Sequence, residues 1–379
     1  MHFVFLSTMA GSPWGGSEEL WSQAAAWLRA NGHTVSASIL SWTLPVPRIR
    51  ELQSIGVSLS ARRSRITGVG TRFWHRVVGQ RREYLWALRQ KPTLLIISQG
   101  MHTEGLHWMA FCRDHGIPFV TIVHSINELW WPQDEVADEL AKAYRSALRV
   151  FNVSRRGQTL LEEQIGERLE NCEVVWNPYN VSPADPPPWP ECDGTWRLAS
   201  IGLLQPAVKG QDLLFHVLAR AQWADRKVEL NVYGDGPCRR GLRRLAETLQ
   251  LSNIHFRGST SDIKQVWAMN HMLVLPSRYE GLPLTLVESM WCARPAVVSD
   301  VGGIAEICVD GRTAFLVPAP NVAMLEDTME RAWTQRDAWM TMGKAARARA
   351  QELIPTDPVG GFSRRLVELA ESCGDSRGG

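Results

Sequence analysis

No Asp-x-Asp occurs anywhere in the 379 residues, so the usual sequence sign of a cation-dependent nucleotide-sugar site is missing. His-Glu-x-x-His, Cys/His metal spacings and a Gly-x-Ser-x-Gly elbow are absent too, which removes zinc hydrolases and serine hydrolases of that type. The first glycine loop lacks Gly-x-Gly-x-x-Gly, which disfavours a simple dinucleotide enzyme, and no Walker A loop is present. No run reaches the ~18 apolar residues of a membrane span. Charge of one sign is scarce as well: 41 Lys and Arg face 39 Asp and Glu, a formal +2 that predicts no general affinity for nucleic acid. The seven cysteines, at 112, 172, 192, 238, 292, 308 and 373, form no Cys-x-x-Cys pair. An odd, scattered set in a chain able to build a large core points to free thiols in a reducing compartment. Met1–Met9 is apolar but lacks a basic start, so it reads as a first strand rather than a signal peptide. A cytoplasmic protein is expected.

What is present is alternation. A length of 379 residues suggests two domains of about 150–200 residues each. In the first half, strand-like runs at His2–Ser7, His33–Leu40, Thr93–Ile97, Phe119–Val123, Arg149–Val153 and Glu173–Trp176 are interleaved with helical spacing, as in Ser17–Ala30. Residues 41–72 are irregular and yield no placed element. Asn177–Gly194 then carries six prolines, which excludes a central strand or an unbroken helix. Alternation restarts with Trp196–Ile201, Val228–Val232, Ile254–Arg257, His271–Leu275, Ala296–Ser299 and Ala314–Val317. Strands alternating with helices imply parallel pairing. The expectation is an α/β protein of two doubly wound Rossmann-like domains facing a central cleft. Residues 1–180 form the first domain, 181–194 a Pro-rich linker and 195–358 the second domain; 359–379 supply a C-terminal helix and tail that pack back on the first.

From Arg48 to Lys91 eleven Lys or Arg stand against Glu51 and Glu83. This is either a solvated helix face or a patch for anionic lipid or an acidic acceptor.

Several strand-to-helix loops carry groups suited to a phosphorylated ligand. Gly202–Gln211, G-L-L-Q-P-A-V-K-G-Q, joins a strand to a helix, where amides, the helix dipole and Lys209 favour an anion; a solvated loop lysine is the alternative. Gly234-Asp235-Gly236 reads as a tight turn, and Gly302-Gly303 and Gly15-Gly16 are further glycine turns where backbone could approach a ligand closely. Pro276–Glu306 places Glu280 on the loop leaving a strand and Glu288 on the following helix, with Pro283 at its first turn. Ligands of open α/β sheets lie at that carboxyl edge. His124 ends another strand there; Trp130 and Trp131 follow it and either stack on a sugar face or belong to the core.

In their order these landmarks closely resemble glycosyltransferase family 4, the retaining nucleotide-sugar enzymes of the two-domain GT-B fold. The resemblance rests on Gly15-Gly16 with Glu18, His124, Asn177, Lys209-Gly210, Gly234-Asp235-Gly236, Glu280 with Glu288, and Gly302-Gly303 with Glu306. It implies a glycosyltransferase moving a sugar from a nucleoside diphosphate sugar to an acceptor hydroxyl in cell-envelope or other glycan or glycolipid synthesis. No metal or other cofactor is required. Lys209 would neutralise the departing diphosphate, Glu288 would accept from the ribose hydroxyls, and Glu280 from a hydroxyl of the donor sugar. The amides of Gly281, Leu282 and Leu284, with Gly202 and Gly234 and the Gly15-Gly16 loop, would lie against phosphate and sugar, and His124 would contact the transferred sugar. Acceptor is expected on the first domain, with Trp130 and Trp131 as candidate contacts and the 48–91 region meeting anionic membrane at the inner face. One departure stands out: the family's Arg after the first-strand glycine is Leu203 here. Arg278 and Arg257 are candidates to replace it. A non-catalytic sugar-nucleotide-binding scaffold, an epimerase or a phosphorylase of the same fold are the alternatives.

Overall fold

The computed structural model describes residues 1–9, 14–41, 46–62, 82–191 and 193–375. Chain contacts divide it into two compact units, one of Met1–Pro178 with Asp357–Gly379, the other of Tyr179–Thr356.

In the first unit the elements run β1 (His2–Ser7), α1 (Gly16–Ala30), β2 (Thr34–Leu40), α2 (Pro47–Ser54), β3 (Ser58–Arg62), a helix over 82–90 (α3), β4 (Leu94–Met101), α4 (Leu106–Asp114), β5 (Phe119–Ser125), α5 (Asp134–Arg145), β6 (Arg149–Asn152), α6 (Arg155–Ile165) and β7 (Cys172–Val174). They build one parallel seven-stranded sheet in the order β3-β2-β1-β4-β5-β6-β7. The central strands are apolar on both faces, Phe3 to Leu6 and Leu94 to Ile97 being fully buried, as parallel strands covered by helices must be. α2 and β3 are the elements that the sequence reading did not place. β3, Ser-Leu-Ser-Ala-Arg, lies on the sheet edge and is half exposed, so it lacks the apolar run that marks its neighbours.

The second unit runs β8 (Trp196–Ile201), α7 (Pro206–Lys209), α8 (Gln211–Leu218), α9 (Ala221–Ala224), β9 (Val228–Tyr233), α10 (Arg239–Thr248), β10 (Ile254–Gly258), α11 (Ile263–Met269), β11 (Met272–Leu275), α12 (Leu284–Trp291), β12 (Ala296–Ser299), α13 (Ile304–Ile307), β13 (Phe315–Val317), α14 (Val322–Thr334) and α15 (Trp339–Leu353). Its parallel sheet has the order β10-β9-β8-β11-β12-β13. The Pro-rich segment is fastened to this unit. Arg347 donates to the Pro183 carbonyl at 2.9 Å, Arg294 donates to that of Pro188, and the Arg294 guanidinium sits 5.0 Å from the Trp189 ring centre.

The last helix, α16 (Pro358–Asp375), returns to the first unit. Phe362, Leu366, Leu369 and Ala370 join the core under α1, with Phe362 edge-on to Phe151 at 5.1 Å. Arg365 pairs with Glu173 at 3.0 Å. No described helix is long and apolar enough to cross a membrane.

Candidate active site

In a doubly wound sheet, ligands sit where the strand order reverses, because loops from neighbouring strands diverge there and leave a crevice. In the second unit that point lies between β8 and β11. The Gly202–Gly210 loop leaves one strand and Pro276–Pro283 leaves the other, so Lys209 and Glu280 meet there. Lys209 Nζ lies 2.6 Å from Glu280 Oε1, and the Ser277 hydroxyl donates to the same oxygen at 2.7 Å. The lysine stem covers Gly202, where a β-carbon would fall 3.4 Å from its Cε. Past Pro283, α12 begins at Leu284 with no side-chain cap, and the amides of Leu282 and Leu284 donate no hydrogen bond among the described residues. Unbonded amides at an uncapped helix start, beside a lysine, have the chemistry that suits an anion.

Glu288 lies in the middle of α12 with 2% exposure. Its Oε1 accepts from the backbone amide and the side-chain amide of Asn180, each at 3.0 Å. Glu280 and Glu288 therefore have different partners, one held by the lysine and the other by the first residues of the unit. Asn180 had no motif to mark it in the sequence.

The glycines serve the loops themselves. A β-carbon at Gly234 would fall 2.0 Å from the Gly202 carbonyl oxygen, one at Gly236 2.7 Å from Leu204 backbone, and one at Gly210 2.0 Å from the Pro276 oxygen. At Gly302, with φ +54°, it would meet the Glu280 oxygen at 2.3 Å, while Gly303 N donates to the Gly281 oxygen at 2.7 Å. The tight turn expected at Gly234-Asp235-Gly236 is packed against the neighbouring loop, and at Gly210, Gly234, Gly236 and Gly302 alike the group that approaches is backbone of the adjoining loop. The reason is geometric, since four neighbouring loops leave one sheet edge and no Cβ fits between them.

Leu203 is half buried, and its carbonyl accepts from Gln211 Nε2 at 2.9 Å. Neither arginine considered as a replacement is unengaged. Arg278 grips Asp212 through both terminal nitrogens at 2.8 Å and donates to the Pro206 oxygen, staples that hold α7 and α8 in place. Although burial raises the Asp212 carboxyl pKa, the hydrogen bond and charge of Arg278 win and hold it below the usual range. Arg257 donates from Nε to Asn231 at 2.7 Å.

In the first unit the order reverses between β1 and β4. Beside that point, on β5, His124 is 7% exposed; its Nε2 lies 3.3 Å from the Ser98 hydroxyl and its Nδ1 has no partner among the described residues. Burial drives its pKa down to about 3, so the ring is neutral at pH 7. Glu18 on α1 is buried, accepts from Ser7 Oγ at 2.6 Å and from the Trp21 indole, and is pushed above the usual carboxylate range by burial. Gly15 caps α1 in an extended conformation and Gly16 opens it; the residues of that loop at 10–13 lie outside those described. Trp131 is 61% exposed and Trp130 38%, so the core reading fails for both. The loop bearing them is braced by Gln164, which donates to the Asn127 and Trp130 carbonyls at 3.1 and 2.7 Å. Of the basic cluster, residues 63–81 lie outside those described. Arg62 is buried and donates to the Ser7 carbonyl, so it belongs to no surface patch, and Arg48 pairs with Glu51 at 2.7 Å.

Comparison with known proteins matches both halves. The profile described as Glycosyltransferase Family 4 covers residues 14–182, and that described as Glycosyl transferases group 1 covers residues 196–335. The chain is 31% identical over 128 residues to an alpha-D-kanosaminyltransferase of Streptomyces kanamyceticus, 33% of each chain being covered. It is 28% identical over 167 residues to a D-inositol 3-phosphate glycosyltransferase of Gordonia bronchialis, covering 40% of this chain and 36% of that one. These matches span about a third of each curated relative. Over nearly full length, the fold is similar to Anabaena HepE crystallised with UDP-glucose, with TM-score 0.75, 17% identity, and 97% of this chain and 99% of that one covered. Sucrose-phosphate synthase of Thermosynechococcus elongatus gives TM-score 0.76 at 16% identity, with 99% and 100% covered.

Proposed function

The chain belongs to the family 4 glycosyltransferases of the GT-B fold, and on that premise we propose that it is a retaining enzyme using a nucleoside diphosphate sugar as donor. The observation that carries the reading is the Lys209–Glu280 pair at the reversal point of the second sheet, beside the uncapped amides of Leu282 and Leu284. In the reaction, the bond from the anomeric carbon to the diphosphate oxygen breaks and its electron pair leaves with the phosphate. The acceptor oxygen bonds to the same face of the carbon, and its proton passes to the leaving phosphate. Negative charge grows on the diphosphate in that step, and the Lys209 ammonium opposes it. Glu280 is released from the lysine to accept a donor-sugar hydroxyl, and Glu288 accepts from ribose; carboxylates suit both tasks because each offers two strong acceptor oxygens. His124, held neutral by burial, keeps Nδ1 without a partner among the described residues at the carboxyl edge of the first unit's own sheet. The reading calls for no metal ion, so turnover should be unchanged when EDTA is added.

Since HepE was crystallised with UDP-glucose, UDP sugars lead a thermal-shift screen, followed by GDP and ADP sugars. The expected result is stabilisation by one nucleotide class and transfer that Lys209→Ala lowers at least about tenfold. Binding without turnover of any donor overturns the enzyme reading in favour of a sugar-nucleotide-binding scaffold.

A further inference from the structure

The first unit has its own reversal point, and a carboxylate outside the assigned set stands in it. Glu104 follows β4 and precedes α4. Its Oε2 accepts from the Thr8 hydroxyl at 3.1 Å, just beyond β1, and from the Gly100 amide at 3.0 Å, on β4. Those are the two strands between which the order reverses. Thr8 Oγ1 also lies 3.2 Å from the Ser98 carbonyl, and the Ser98 hydroxyl meets His124. One chain of polar contacts thus joins Glu104 to His124 along the carboxyl edge. The contacts from Thr8 and Gly100 both fall on Glu104 Oε2 and leave Oε1 outside them. Two residues earlier, His102 is fully buried with neither ring nitrogen hydrogen-bonded among the described residues, and His124 Nδ1 is likewise unpartnered. Buried polar atoms are normally satisfied, and a group of unsatisfied ones at a sheet's reversal point marks an edge built to receive a polar ligand.

Resting on the transferase reading, we propose that Glu104 is a specificity-determining residue that receives the acceptor, its Oε1 accepting a hydrogen bond from a hydroxyl of a neutral polyol ring. Thr8 and Gly100 fix one carboxylate oxygen and so aim the other. A carboxylate selects hydroxyl donors and repels phosphate, so the end of the acceptor that docks here carries no phosphate. Burial pushes the Glu104 carboxyl above the usual range, against the pull of its hydrogen bonds from Thr8, Met101 and Gly100. A hydroxyl donated to it replaces contacts that burial has removed.

The test uses the full chain and whichever donor the screen above selects. Acceptor probes are methyl glycosides and myo-inositol beside glucose 6-phosphate and inositol 1-phosphate. The expected result is transfer to a neutral polyol, with Glu104→Gln raising the acceptor KM about tenfold while the donor KM stays within about twofold. Thr8→Val, which removes the aiming hydroxyl, raises the acceptor KM by a smaller factor in the same direction. An unchanged acceptor KM, a parallel rise in donor KM, or transfer confined to the phosphorylated probes overturns the assignment. Donor hydrolysis without transfer to any neutral probe overturns it as well. If no donor is turned over at all, the transferase reading itself fails and takes this inference with it, a result distinct from the others.

Discussion

Lys209, at the reversal point of the second sheet, is paired with Glu280 on the facing loop rather than with the helices behind it. Arg278 is held by Asp212 and the Pro206 carbonyl, on α8 and α7, so it steadies the site without lending it charge. If the second sheet's edge holds the donor diphosphate as proposed, Leu203→Arg should strengthen donor binding by about 1.5–3 kcal/mol, the worth of one charge-assisted hydrogen bond. Calorimetric titration of the nucleotide into both forms measures it, and an unchanged Kd removes the idea of a missing cation. On the acid side, His102 is depressed to about 4 by burial alone. Its neutral form belongs to the fold, so its stabilising share is complete above pH ~6.5, the unfolded value, and is lost as pH falls toward 4. That share is about 3 kcal/mol at most. Glu18 and Glu104, with raised pKa, act in the opposite sense, since their protonation on acidification favours the folded form. The informative quantity is the difference between wild type and His102→Leu: the variant's urea midpoint should fall less between pH 6.5 and 4.5.

At the scale of elements, the glycine turns set how closely four loops pack at the second sheet's edge. Two glycines separate strain from collision. Gly311 has φ +69° with nothing within 4 Å of its added β-carbon, whereas Gly302, at φ +54°, faces the Glu280 carbonyl at 2.3 Å. Gly311→Ala should cost about 1 kcal/mol of backbone strain and leave donor affinity alone. Gly302→Ala must also displace the Glu280 loop, so it should cost at least ~2 kcal/mol and weaken donor binding. Thermal unfolding with nucleotide titration distinguishes them, and equal effects on binding would refute the role given to Gly302. Helix and strand existence was legible wherever a core face was apolar, as in Phe3–Leu6 or Leu273–Leu275. The edge strand β3 was illegible because an exposed edge does not require apolar residues. The short α7 was hidden inside what reads as a glycine-bounded loop, closed by Gly210 in the left-handed region.

For the whole molecule, the chain crosses between units twice, near residues 178 and 356, and the last helix completes the core of the unit that begins the chain. Tyr179 lies close to the second crossing, its hydroxyl donating to the Pro355 carbonyl at 3.2 Å. A chain ending at Thr356 should therefore lose cooperative unfolding of the first unit while the second still binds nucleotide. Leu366→Ala, at a fully buried position, should cost about 2–5 kcal/mol in that first unit only. Calorimetry of the full chain and the truncated chain, each with and without nucleotide, reads both outcomes. Retention of the first transition after truncation would show that α16 is dispensable.

The sequence alone determined the two alternating halves and the ordered landmarks Lys209, Glu280, Glu288 and His124. Parallel strands must be apolar and loops at their carboxyl ends must carry turn residues, and both requirements are written in local residue order. Tertiary structure decided the rest, because contacts between distant segments leave no local pattern. It chose Glu280 as the partner of Lys209, tied Glu288 to Asn180, and engaged Arg278 with Asp212. It also brought Thr8, just beyond β1, beside Gly100 and Glu104 at the end of β4, where only the order of strands in the sheet makes the two segments neighbours.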